Sequence, residues 1–195
     1  MVTPRSWKNA DGVAATREFL SQPPPRRAAI RGLMTELLSP DPFAVRCAAD
    51  LARRVSAREP GILRGYADVL AGLAAELTPE QWQARSYVTL AAALNALTHG
   101  QRMRLTPLVR SLVEDERIAV RAIGLEAFAI LAQAEPELRD EVLPLLERSR
   151  RAHEAAVRCR ALRMLPLLLA AEIEAASGAG TSRSARREVR PQISG

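Results

Sequence analysis

Four arginines set the period of this chain. Arg46, Arg85, Arg121 and Arg158 stand 39, 36 and 37 residues apart, each near the start of every second helical segment. A repeat of that length is a supersecondary unit too small to bury its own apolar face, so neighbouring units must stack into one continuous core. Arginine supplies 27 of the 28 Lys and Arg residues, with Lys8 the exception, so the interval alone is weak evidence. Independent columns agree with it. Five residues before each arginine stand Asp41, Glu80, Glu116 and His153, three of them acids at a helix start, where the dipole favours negative charge. Three residues after it stand Ala49, Val88, Gly124 and Ala161, small or β-branched groups that let helices approach closely. Pro60, Gly100 and Pro136 follow the first three arginines by 14 or 15 residues and divide one helix from the next, while Pro107 and Pro144 lie 37 apart in the helices between.

The segments between these marks are helical. The chain holds 35 alanines and 26 leucines in 195 residues, both strong helix formers and poor strand formers. No run of four or more residues alternates in the strand manner, which excludes a sheet. The punctuation predicts helices over 11–20, 26–38, 42–57, 61–77, 79–97, 101–113, 117–134, 137–149 and 152–176. An all-α chain in three parts is expected. Residues 1–25 form an N-terminal helix or cap and a stiff joint at Pro23, Pro24 and Pro25. Residues 26–176 form a repeat domain divided at about 26–60, 61–100, 101–136 and 137–176. Residues 177–195 form a flexible basic tail, rich in Gly, Ser and Arg and too poor in apolar residues to fold alone.

At Asp41, Val45, Arg46 and Ala49, and again at Glu116, Val120, Arg121 and Gly124, the chain resembles the HEAT-repeat family of HEAT-like and armadillo-like α-solenoids. The family pattern is an acid, then Val-Arg, then a small residue in the second helix of each hairpin, often with a proline in the first. Ala84 replaces the valine and His153 the acid, and the period is shorter than the usual 40 or more residues, roughly. The resemblance implies a right-handed α-solenoid of about four antiparallel helical hairpins with an N-terminal capping helix. It further implies that Arg46, Arg85, Arg121 and Arg158 form a structural ladder, each bridging to an acid or to carbonyls of the adjacent repeat. The alternative is a row of guanidiniums that grips phosphates or acidic side chains of a partner.

Val45, Ala48, Ala49, Ala52 and Val55 supply the apolar face of the first repeat, and Val120, Ile123, Ala127, Ile130 and Leu131 that of the third. The ends of such a stack need covering. Trp7, Val13, Phe19 and Leu20 are placed to cap the N-terminal end. At the other end Leu162, Leu165, Leu167, Leu168, Leu169 and Ile173 occupy more of one helix than a single neighbour covers. Either the preceding helix wraps it fully, or this edge docks a partner or a second copy.

Little in the sequence carries catalysis, and no enzyme, cofactor or metal site is expected. His99, in the turn before Gly100, and His153, at a helix start, read as surface residues with no activating acid, serine or cysteine at a suitable spacing. Phosphate-cradling glycine loops and a Gly-x-Ser-x-Gly elbow are both lacking. Cys47 and Cys159 directly follow ladder arginines three repeats apart, a separation near roughly 30 Å, too far for a disulfide; both read as small core residues. Arg163 and Pro166 interrupt the most apolar run, 161–173, which is too short to span a membrane. With no apolar leader in the first ten residues, a cytoplasmic protein is expected.

The net charge of +6 leaves the question of an anionic partner. The second helices of solenoid hairpins line the concave face, and Arg53, Arg54, Arg160 and Arg163 are expected along that groove as partner-binding residues. Arg148, Arg150 and Arg151 extend the basic cluster, and the tail carries a net +3, half of the whole. Aromatic side chains that would stack bases are missing among these arginines. The reading is a non-catalytic scaffold or adaptor that binds another protein on the concave face or at the apolar C-terminal edge, where it also has a route to homo-oligomers. A DNA or RNA backbone binder is the alternative. A HEAT-like DNA glycosylase or bilin-lyase-type enzyme is a more distant one, since fold alone does not carry function.

Overall fold

The structure is a computed structural model that describes residues 11–24, 26–96 and 98–184, with side chains to residue 170. Every regular element among the described residues is helical. The α-helices are α1 (Gly12–Ser21), α2 (Arg27–Leu37), α3 (Pro42–Arg58), α4 (Ala67–Glu76), α5 (Trp82–Asn95), α6 (His99–Val113), α7 (Ile118–Ala134), α8 (Arg139–Ser149) and α9 (Ala155–Ser184). Short 3-10 turns at Arg64–Tyr66, Pro79–Gln81 and Pro136–Leu138 lead into α4, α5 and α8.

The helix starts follow local chemistry. Asp41 accepts a hydrogen bond from the Phe43 amide at 3.0 Å, with Pro42 in the first turn where its missing N–H costs nothing. Thr98 and Gln101 form a reciprocal capping box at the start of α6. The start of α4 departs furthest from the sequence prediction. A helix from residue 61 is expected, yet α4 begins at Ala67 because Gly61 adopts a left-handed φ of 84° and Asn95 Oδ1 takes the Leu63 amide at 2.7 Å. At the other end α9 runs to Ser184, past the expected boundary at 176; Ala175, Ala176 and Ala179 favour continuing the helix and no proline stops it.

Helices pair along the chain, α2 on α3, α4 on α5, α6 on α7 and α8 on α9. The second member of each pair also packs on the next, so that α3, α5, α7 and α9 form one uninterrupted line of contacts, with α1 against α3. The expected small-residue column explains the closeness: Ala49, Val88 and Ala161 are wholly buried. A Cβ on Gly124 would lie 2.8 Å from the Val113 amide nitrogen and 2.9 Å from Leu112 Cβ, so only glycine admits α6 this near to α7. Between the first members α4 also meets α6, and surface ion pairs join them, Arg104 with Asp68 from α6 to α4 and Arg110 with Glu141 from α6 to α8. One apolar core extends from Ala15 on α1 to Leu168 on α9.

A polar knot interrupts this core. Asn95, with no exposed surface, donates to Ser56 Oγ at 2.8 Å and to the Ala91 carbonyl at 2.7 Å while accepting from Leu63. Ser56 and Asn95 each lie ten residues after a ladder arginine, where the later repeats have Leu131 and Leu168.

The two ends differ. Phe19 is buried and Leu20 partly so, as a cap requires, but Val13 is exposed; Trp7 lies outside the described residues. On α9 Met164, Leu165 and Leu168 are buried, whereas Leu162, Leu167 and Leu169 are exposed. Complete wrapping by α8 is therefore ruled out, since α8 and α7 reach only one side of α9; Ile173 lies beyond the described side chains. Among the described residues no helix is long and apolar enough to cross a membrane.

Candidate partner-binding groove

Each of α3, α5, α7 and α9 contributes to one open cavity of about 510 Å³. Ala119, Ala122 and Ile123 of α7 and Ala156 of α9 form its small-residue walls, and Tyr87 of α5 adds one ring. Arg53 of α3 and Arg160 and Arg163 of α9 bring their guanidiniums to it. Three of the four arginines expected to meet a partner thus come together. Arg54 does not: it lines a separate hollow of about 410 Å³ between α1 and α3, which Arg53 also reaches.

These arginines are partly neutralised. Arg53 Nη2 lies 2.5 Å from Asp50 Oδ1, and Arg54 Nε 2.7 Å from the other Asp50 oxygen. The Arg53 guanidinium also stands 4.9 Å over the Tyr87 ring, and its buried Nε has no hydrogen-bond partner. Arg160 and Arg163 each hold one oxygen of Glu126, one repeat earlier on α7. Burial pulls the Arg160 guanidinium below its usual pKa; Glu126 opposes this, and the charges of Arg163 and Arg53 add to it. Four guanidiniums face two carboxylates.

Three of the four ladder arginines are occupied elsewhere. Arg121 Nη1 donates to the carbonyls of Asp115 and Glu116 at 3.1 and 2.9 Å, and Nη2 to Glu154 of the next repeat at 2.8 Å. Arg158 Nη1 donates in the same way to Ala152 and His153, at 2.7 and 3.1 Å. The acid column is used through its backbone here, which is why His153 serves in place of an acid. Arg46 reaches Gln83 in the next repeat at 3.4 Å and stacks 5.0 Å from the Phe43 ring, and Arg85 is half-buried on α5. The other basic cluster divides: Arg148, Arg150 and Arg151 are exposed between α8 and α9, away from the cavity.

No known protein family, curated protein or solved structure matches this chain. The functional reading therefore rests on geometry.

His99 needs a correction. It is exposed, as expected, but an acid does meet it: its Nδ1 lies 2.8 Å from Oε2 of the buried Glu135, thirty-six residues on. Arg102 Nε holds the other oxygen at 2.5 Å. Burial pushes the Glu135 carboxyl up, but the hydrogen bonds and charges of Arg102 and His99 outweigh it and hold the group below its ordinary value. Glu137 brings a third ligand-type atom within 4.8 Å of this pair. With a guanidinium already seated on Glu135, the cluster works as a charged clasp between the start of α6 and the end of α7. A similar clasp joins Arg26 to Glu59 at 3.1 Å in the first repeat. His153 is exposed, as expected.

The two cysteines form no disulfide, and neither is fully buried as expected of core residues. Cys159 is exposed and lines the groove. The equivalent Cys47 is half-buried; it lines a hollow shared with Gly12 and Ala15 of α1. Sequence reasoning also passed over Asp50 and Glu126 as partners of the groove arginines. Asp50 stands at i−3 and i−4 from Arg53 and Arg54, a spacing that signals a helix-surface ion pair, and Glu126 is one repeat before Arg160 and Arg163.

Proposed function

We propose that the chain is a right-handed HEAT-like α-solenoid of four hairpins, acting as a non-catalytic scaffold or adaptor in the cytoplasm. It binds another protein along the concave face formed by α3, α5, α7 and α9. The observation that carries this reading is the groove itself, to which all four second helices contribute, with small apolar walls and arginine at its rim. Unbroken contact along the second helices, against surface ion pairs among the first, supports placing the concave side there.

Nucleic-acid and glycosylase readings draw less support. Arg53 covers the Tyr87 ring, and Arg117 stands 5.7 Å from the Trp82 ring, so guanidiniums occupy the faces that bases would need. Glu126, the acid a glycosylase reading would draw on, is held by Arg160 and Arg163.

Affinity capture from an extract of the source cells with wild type and with Ala156→Trp tests the proposal. Ala156 is exposed and lines the groove, so the new ring fills the groove without entering the core. A specific protein captured by wild type and lost with the folded variant supports the groove reading. The same proteins captured equally by both contradict it.

A further inference from the structure

The geometry points to an acidic protein segment as the groove's occupant, with a carboxylate seated among Arg53, Arg160 and Arg163, where Glu126 now serves as the internal stand-in. The inference rests on the protein-binding reading and names the chemistry of the partner.

Three observations converge. First, the groove gathers guanidiniums from its two ends, Arg53 on α3 and Arg160 and Arg163 on α9, around walls to which Ala119, Ala122 and Ala156 contribute beside Ile123. Alanine walls leave room for a main chain to come close, and the long arginine stems reach in from the rim. Second, the balance is uneven: Asp50 is shared by Arg53 and Arg54, and Glu126 by Arg160 and Arg163. Within the groove Arg53, Arg160 and Arg163 meet only Glu126 and one oxygen of Asp50, whose other oxygen Arg54 takes, so positive charge is in excess there. Third, Glu126 displays the ligand chemistry that the site accepts, one carboxylate divided between two guanidiniums. An incoming carboxylate takes over one of these arginines or adds to the pair.

Carboxylate is favoured over the phosphates of a nucleic acid for two reasons. A phosphate backbone draws on a long row of free cations, whereas the ladder arginines Arg121 and Arg158 spend hydrogen bonds on carbonyls of the fold. The aromatic faces are also covered by arginine.

The test uses the full chain and three fluorescein-labelled probes of similar length: a peptide of alternating Glu and Ala, its Lys and Ala counterpart, and a short DNA duplex. Fluorescence anisotropy at low salt is expected to show binding of the acidic peptide in preference to the other two, weakening as salt rises. Arg53→Gln and Arg160→Gln are each expected to weaken it about tenfold, and Glu126→Gln to strengthen it several-fold. Ala156→Glu adds a second internal carboxylate at an exposed site and is expected to weaken binding even if Glu126→Gln fails to fold. Duplex binding that is tighter than peptide binding and depends on the same arginines overturns the inference in favour of a phosphate site. Peptide binding that none of these variants changes, or no peptide binding, overturns it as well. If Ala156→Trp loses a captured protein while Arg53→Gln and Arg160→Gln retain it, the groove reading stands and only the acidic partner falls.

Discussion

Arg121 and Arg158, one repeat apart, make the same pair of hydrogen bonds: the Nη1 of each reaches the carbonyls five and six residues before it. Each arginine ties the approach to its helix back onto the helix itself. Arg121→Ala is expected to cost about 1–3 kcal/mol, because two carbonyls and Glu154 lose a charged donor. Thermal unfolding followed by circular dichroism measures the loss. His153→Ala, which removes only an exposed ring at the same joint, is expected to leave Tm unchanged within about 0.5 kcal/mol of stability.

The Asn95 knot gives a second prediction. Asn95→Leu restores the residue type found at Leu131 and Leu168, yet it strands the buried Leu63 amide and Ser56 hydroxyl. A loss of about 1–3 kcal/mol is expected from urea unfolding. A neutral outcome would mean that the loop before α4 rearranges to satisfy these groups.

Gly124→Ala tests the closest helix approach. The added methyl meets backbone and Cβ atoms of α6 at 2.8–2.9 Å, where a flexible side chain cannot simply move aside. About 1–3 kcal/mol of destabilisation is expected, against the usual stabilising effect of alanine over glycine in a helix.

Glu135 gives the stack a pH dependence. Its carboxyl is held below the ordinary value of 4.5 in the folded chain, so the stability it contributes is fully present above that value and is lost as pH falls through the lower, folded pKa. Glu135→Gln is expected to lower Tm by several degrees at neutral pH, and the gap to wild type is expected to narrow as the solution is acidified below pH 4.5. A gap that stays constant through acidification would show that the charge on Glu135 plays no part.

The leucines of α9 separate burial from exposure. Leu168 has no exposed surface and Leu169 is 42% exposed. Leu168→Glu is expected to unfold the C-terminal pair, with a loss of about 3 kcal/mol or more. Leu169→Glu is expected to leave the melting curve unchanged, so sedimentation of that variant beside wild type reports on self-association through this edge without disturbing the core.

Helix order and most boundaries were legible in the sequence because they are set locally, by Pro42, by Asp41 at a helix start and by Ala-rich segments, although the Thr98 cap starts α6 at His99 rather than at 101. The late start of α4 was not, because Asn95, thirty-two residues away, holds Leu63 outside the helix. His99 and Glu135 were missed for the same reason. A search for acids at close sequence spacing passes over a partner one repeat on, and Arg160 and Arg163 with Glu126 repeat the lesson. Three of the four groove arginines were found because one period places them on equivalent helices. Arg54 was not separated from Arg53, since adjacent residues on a helix point about 100° apart and only the packing of α1 decides which hollow each faces.

Cys159 offers the most direct measurement of the central claim, that partners occupy the face of α3, α5, α7 and α9. Its thiol is exposed in the groove, and half-buried Cys47 provides an internal reference. Alkylation of both thiols is followed by mass spectrometry with and without a saturating captured partner or the acidic peptide. The groove account predicts that Cys159 alkylation slows several-fold when the partner is bound while Cys47 keeps its rate. An unchanged Cys159 rate at saturation contradicts it.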